Sequence, residues 1–135
     1  VQVTVLERPE VVALGEQAHA GVSWHAASLF DSWGMSADAV LLSRILHDWG
    51  DEEVLQILQR AREALGEGGR VFLVEMLMSE HGFSGALCDL HLLAVNGGKE
   101  RTVGEYRALL SQAGFHLEEV RNLPALPSVL IARSL

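Results

Sequence analysis

Apolar residues follow two rhythms along the chain. Short runs rich in β-branched residues alternate with longer segments whose apolar positions recur every three or four residues. "VQVTVLE" (1–7) is a β-rich run ending on Glu7. Pro9 then suits the first turn of a short helix reaching about Gln17. "GVSWHAA" (21–27) predicts the next strand. "ADAVLLS" (37–43) is nearly all apolar, as in a strand buried on both faces of a parallel sheet. The best-specified helix follows Trp49. Asp51 can cap it, and Glu52 and Glu53 sit in the first turn, where the helix dipole favours anions. Val54, Leu58, Ala61 and Leu65 recur at four, three and four residues and form one apolar stripe. "GEGG" (66–69) stops the helix.

"RVFLVEML" (70–77) predicts a buried strand with its polar end near Glu75, and a helix is expected over 86–95. Thr102 reads as the N-cap of a helix from Val103 to about Ala113, with Gly114 at its end. "FHLEEVRNL" (115–123) and "PSVLIARS" (127–134) are two strands joined through Pro124 and Pro127. Strands alternating with helices predict an α/β sandwich with a largely parallel sheet. The short turn between the last two strands predicts an antiparallel hairpin at one edge. There is no internal repeat, low-complexity tract or linker, so residues 1–135 read as a single domain.

Composition narrows the function. Hydrophobic residues make up 49% and charged residues 21%, as in ordinary globular proteins. No apolar run approaches the ~20 residues of a membrane span, and the N-terminus lacks the basic start of a signal peptide. The net charge of −8 and the absence of a basic cluster argue against a nucleic-acid partner. A single cysteine, Cys88, fits a reducing cytoplasm and reads as a small buried side chain.

Candidate chemistry gathers at strand ends. Ligands of open α/β sheets bind outside the carboxyl ends of the strands. The first strand ends at Glu7, the second leads into Ser28 and Leu29, the third into His47, Asp48 and Trp49, and the fourth ends at Glu75. A carboxylate at the first strand end suits the hydroxyls of a ribose. A histidine at a strand end suits general-base work, and Glu75 on the adjacent strand can orient it. Trp49 is either core packing or a wall of the ligand site. The remaining histidines lack paired metal-ligand spacing, and "DEE" (51–53) reads as helix-start electrostatics, so no metal is expected.

These residues resemble the S-adenosylmethionine-dependent O-methyltransferases of the large two-domain type, found in plants and in bacterial natural-product pathways. The resemblance rests on "LLSRILHDWGDEEVLQILQRAREAL", "GGRVFLVEMLM" and "DLHLLAVNGGKERTVGEYRALLSQAGF", and spans about Val3 to Ala132. It implies a Rossmann-like methyltransferase sandwich. It implies that His47 is the catalytic base, oriented by Glu75 and Glu100. S-adenosyl-L-methionine would be the cofactor, held by Glu7 at its ribose, by Ser28 and Leu29 beside the adenine, and near Ser43 and Trp49. Asp48, Leu92 and Asn96 would face a small hydroxylated aromatic acceptor. The full-length protein would be a homodimer.

The family's glycine-rich cofactor loop follows the first strand of its fold, and its helical dimerisation domain precedes that strand. Neither is present in these residues. The expectation is therefore a C-terminal part of the catalytic domain, with a gap in the sheet between the strands at 1–7 and 38–43, and a tendency to associate. Two rival functions remain. One is a non-catalytic or repurposed methyltransferase-like domain, whose mark would be loss of the base or its acids. The other is a nicotinamide-dependent oxidoreductase, which needs GxGxxG about 20 residues before an acidic strand end.

Overall fold

The structure is a computed structural model that describes residues 1–19, 21–78, 98–124 and 127–135. The chain runs β1 (Thr4–Glu7), α1 (Pro9–Ala18), β2 (Ser23–Ala26), β3 (Ala39–Ser43), a 3₁₀ turn (Leu46–Asp48), α2 (Asp51–Leu65), β4 (Arg70–Glu75), α3 (Val103–Gln112), β5 (Phe115–Asn122) and β6 (Ser128–Ser134). Each strand predicted in the described residues is present, in most cases one to three residues shorter. The helix expected over 86–95, with Cys88, Leu92 and Asn96, lies outside the described residues.

The strands form two groups. β1 pairs with β2 in parallel, and a four-stranded sheet has the order β3-β4-β6-β5. β3 and β4 are parallel, from Ala39 opposite Arg70 to Ser43 opposite Val74. β6 runs antiparallel to both β4 and β5, so the expected hairpin closes one edge with β5 outermost. Among the described residues, β1 pairs only with β2, and β3 only with β4 on that side. The expected gap between the first and third predicted strands is therefore present. The two groups still meet, because Leu6, Leu29 and Phe30 pack against the main core.

That core lies between the four-stranded sheet and α2 and α3. Val54, Ile57, Leu58, Ala61 and Leu65 of α2 meet Val71 and Leu73 of β4, Leu130 and Ala132 of β6, and Leu110 of α3, all buried. The stripe predicted for α2 is thus the buried face, widened by Ile57 and Ala64. The third strand departs from expectation. Leu42 joins the core, but Leu41 on the opposite face is 65% exposed. Its apolar run resembles a strand covered on both faces, whereas the described residues cover one.

Local signals account for most element ends. Thr102 Oγ1 accepts the N–H of Glu105 (3.2 Å) while Glu105 accepts the N–H of Thr102 (2.8 Å), a reciprocal cap for α3. Gly66 and Gly114, with φ of 65° and 83°, follow α2 and α3 where a side chain would be strained. Asp51 does not cap α2. Gly50 holds the N-cap position without a side-chain bond, and Asp51 is the first helical residue. Its carboxylate is drawn instead to Arg101.

Candidate active site

β3 delivers the chain to the rim at Ser43. The corner that follows is made by Arg44, whose φ of 55° lies in the left-handed region. That conformation costs a side-chain-bearing residue roughly 1–2 kcal/mol and is held by the surrounding fold. The N–H of Arg44 still donates to Val74 O (2.9 Å), which extends the β3–β4 ladder by one bond. The next residues form the 3₁₀ turn that carries His47. Glu75, at the end of the neighbouring strand, ties down the start of this turn: its Oε1 accepts the N–H groups of Ile45 (3.2 Å) and Leu46 (2.9 Å).

Glu100 arrives from a segment far away in sequence. Residues 98–101 lie beside the turn because the N–H of Lys99 donates to His47 O (2.9 Å). The N–H of Met78 donates to Arg101 O (3.0 Å), fixing the same segment to the chain beyond β4. The result is a buried imidazole with acids on both sides. His47 Nδ1 lies 3.5 Å from Glu100 Oε1 and 3.8 Å from Glu75 Oε2, while Nε2 lies 3.4 Å from Asp48 Oδ1. The side chains of Glu75 and Glu100 are fully buried, and that of Asp48 is partly exposed. The Nδ1 separations are ion-pair distances, longer than good hydrogen bonds. Sites without substrate often have such long contacts, which tighten on binding.

Burial pushes the Glu75 carboxyl above its ordinary value. The His47 charge, the Leu46 N–H and Arg44 pull the other way, and Glu100 adds to the rise. The ligand atoms of His47, Glu75 and Glu100 lie within 4.8 Å of one another, close enough to hold a metal ion. The positive charge at this corner is already supplied. The Arg44 guanidinium lies 3.1 Å from Glu100 Oε1 and 3.5 Å from Glu75 Oε2. A dication bridging the same two acids would meet that charge, so the arrangement suits orientation of an imidazole better than metal binding.

Sequence reasoning missed Arg44 and Arg101. Arg101 is fully buried. Its guanidinium donates to Leu46 O (3.0 Å), to Trp49 O (2.8 Å), and through Nε and a terminal nitrogen to Asp51 Oδ1 (3.0 and 2.7 Å). It thus holds the two ends of the His47 turn and the start of α2 together. The available signal was an arginine directly after a candidate site acid in "GGKERT".

For Asp51, burial raises the carboxyl, but the bonds and charges of Arg101 and Lys99 outweigh it and hold it below its ordinary 3.8. An acid held low in the fold stabilises above its unfolded pKa, and that contribution is lost as pH falls through the folded one. Denaturant unfolding should therefore find Asp51→Asn less stable than the unmodified chain at neutral pH. The gap should begin to narrow as the pH drops below 3.8 and vanish only once it has passed below the lower folded value. A gap that stays constant into acid would contradict the pairing.

The residues assigned to the cofactor side lie at or just after the carboxyl ends of β1, β2 and β3. Glu7 ends β1, and its Oε2 accepts the N–H of Arg8 (2.9 Å). Ser28 Oγ accepts the N–H of Phe30 (3.2 Å) and shapes the turn after β2. Phe30 then meets Trp49 edge to face, with ring centroids 4.8 Å apart. That contact brings the chain after β2 against the turn after β3, and Trp49, partly buried, packs on the core. Ser43 ends β3 opposite Val74. Leu92 and Asn96 lie outside the described residues. A cavity of about 640 Å³ opens elsewhere, between Arg62, Glu67, Gln112 and Leu135, and no candidate residue lines it.

Known proteins are similar to this chain in sequence and fold. A flavonoid 7-O-methyltransferase of Ocimum basilicum is 39% identical over 132 residues, covering 92% of this chain and 38% of the relative. The crystal structure of TnmH superposes with a TM-score of 0.93 at 33% identity, covering all of this chain and 43% of that one. Human N-acetylserotonin methyltransferase, solved in complex with S-adenosylmethionine, superposes with a TM-score of 0.89 at 29% identity, covering 98% of this chain and 40% of that one. The chain spans about a third of the length of the curated relatives it matches. The fold is the Rossmann-like methyltransferase sandwich with a C-terminal antiparallel hairpin. With the O-methyltransferase domain profile matching residues 1–116, the chain belongs to the O-methyltransferases.

Proposed function

We propose that a protein carrying this segment transfers a methyl group from S-adenosyl-L-methionine to a hydroxyl, phenolic in the simplest case, of a small natural product, with His47 as general base. The observation that carries this reading is the buried imidazole of His47 set against Glu75 and Glu100 at the carboxyl-end rim. Residues 1–135 are then the C-terminal part of a catalytic domain, in a cytoplasmic enzyme that works as a homodimer.

The residues present fit the cofactor. Glu7 has one oxygen engaged by Arg8, which leaves the other for ribose hydroxyls. Leu29 and Ser28, after β2, would offer an adenine an apolar face and a polar edge beside the Trp49–Phe30 pair. Ser43 borders the same space from the end of β3. When bound, S-adenosylmethionine supplies an electrophilic methyl group.

The chain's own residues handle the proton. A phenol titrates near pH ~10, so at neutral pH it is mostly protonated and weakly nucleophilic. Nε2 of His47 accepts the hydroxyl proton as the oxygen attacks. The imidazolium formed is stabilised by Glu100 and Glu75 on its Nδ1 side and by Asp48 beside Nε2. Exclusion of water by the buried site strengthens these interactions.

The test is a full-length protein incubated with isotopically labelled methyl donor and a panel of phenolic acceptors, read by mass shift. The expected outcome is label in the methyl ether of one or more of them. Donor bound with no label in any hydroxylated acceptor would overturn the reading.

A further inference from the structure

We propose that Arg44 is a positioning residue for this methyl transfer: its guanidinium ties the carboxylates of Glu75 and Glu100 together and holds both against Nδ1 of His47. The proposal rests on the assignment of His47 as the base. It starts from a charge problem within that assignment. Two carboxylates without exposed side-chain surface converge on one ring nitrogen. Buried like charges repel strongly, and one of them takes a proton unless a cation is at hand. His47 cannot be that cation, because a base must be neutral before it accepts a proton. The permanent positive charge has to come from a group that does not titrate, and arginine is the side chain that meets this requirement.

Arg44 stands where that charge is needed. One terminal nitrogen donates to Glu100 Oε1 (3.1 Å) and the other lies 3.5 Å from Glu75 Oε2. These are the same two carboxylate oxygens that approach Nδ1 of His47. The planar fork thus links the two acids through the same oxygens that face the imidazole. The nitrogen facing Glu75 is buried and makes no hydrogen bond, so its charge is directed at that carboxylate alone. The backbone supports the reading. Arg44 holds a left-handed conformation that glycine adopts without strain, yet the position carries a long cation.

The other charged groups around the cluster do not replace it. Asp48 adds a further negative charge from the turn itself. Lys99 reaches away to Asp51 and Glu105. Arg101 is committed to Asp51 and to the carbonyls of Leu46 and Trp49. The Tyr106 phenol of α3 is kept neutral by burial. With Arg44 neutralised, the imidazole would face three acids and, among the described residues, no nearby unengaged cation.

The test compares Arg44→Gln and Arg44→Lys in the full-length protein, after thermal melts establish that each folds. Arg44→Gln is expected to lower kcat roughly tenfold or more at neutral pH with KM for the methyl donor little changed. It should also displace the acidic limb of the pH–rate profile upward by about one unit. Arg44→Lys restores the charge without the fork, so the limb should return to its original position while part of the kcat deficit persists. A second readout needs no turnover. With ¹³C-labelled glutamate carboxyls, Glu75 should take up its proton about one unit higher in Arg44→Gln.

An unmoved limb together with an unmoved Glu75 titration in Arg44→Gln would overturn the proposal. So would a displaced limb in a folded Arg44→Lys. Failure of the base assignment looks different. It would appear as near-normal turnover in a His47 variant, while a moved Glu75 titration would still support Arg44 as the cation of the pair.

Discussion

In a full-length protein carrying this segment, His47→Gln is expected to lower turnover roughly 10²–10⁴-fold, the usual contribution of a positioned general base. Affinity for the methyl donor should change little, because the residues assigned to the donor are Glu7, Ser28, Leu29, Ser43 and Trp49. Glutamine is a suitable replacement. It approximates the size of imidazole, keeps a polar group between Glu75 and Glu100, and cannot accept a proton at neutral pH. The loss should therefore appear in kcat and be smallest at high pH, where the acceptor ionises without help. Single-turnover rates with a phenolic acceptor across that range measure it. Near-normal methylation at neutral pH by the variant would remove His47 from the base role.

Arg101→Met is expected to be the most destabilising single change near the site. Methionine fills much of the apolar stem but removes the guanidinium donor from Trp49 O and leaves Leu46 O with only the 3.3 Å bond from the Trp49 N–H. A buried acceptor left unpaired costs about 1–3 kcal/mol, so the loss at Trp49 O, with the weakened Leu46 carbonyl and the lost Asp51 pairing, gives a total of roughly 2–4 kcal/mol. Against a domain stability of ~5–15 kcal/mol this is a large share. Denaturant unfolding should show a lower midpoint with an unchanged slope. Arg101→Lys should recover only part of the loss, because one ammonium cannot reach two carbonyls and a carboxylate in a fixed fork. A loss well under ~1 kcal/mol for the methionine variant would show that the clamp is not what holds the turn. Turnover should fall with stability here, since the same bonds fix the backbone on either side of His47.

The sequence made the elements legible because their signals are local. The α2 stripe, the reciprocal cap at Thr102 and the glycines after the helices each act within a few residues. Asp51 shows the limit of that reasoning. Its helix-start position made it a cap by pattern, yet a cation fifty residues later in the chain offers it a stronger bond. Leu41 shows the same limit for burial. Its strand reads as covered on both faces, but cover comes from neighbours that the strand's own residues do not specify.

The sequence by itself determined the element order, the strand-end placement of Glu7, His47 and Glu75, and, through the HDW and GGKER segments, the resemblance to O-methyltransferases. Hydrophobic periodicity and short motifs carry that information because they depend on near neighbours along the chain. The resemblance implied that Glu75 and Glu100 flank His47, but only the tertiary structure decided how they are brought there and which cations join them. Glu100 meets His47 because the segment holding it bonds to the His47 carbonyl. Arg44 bridges two acids that lie thirty-one and fifty-six residues further along the chain. Ion pairs and clamps of this kind depend on distance in space, and the pattern along the chain carries no direct trace of it.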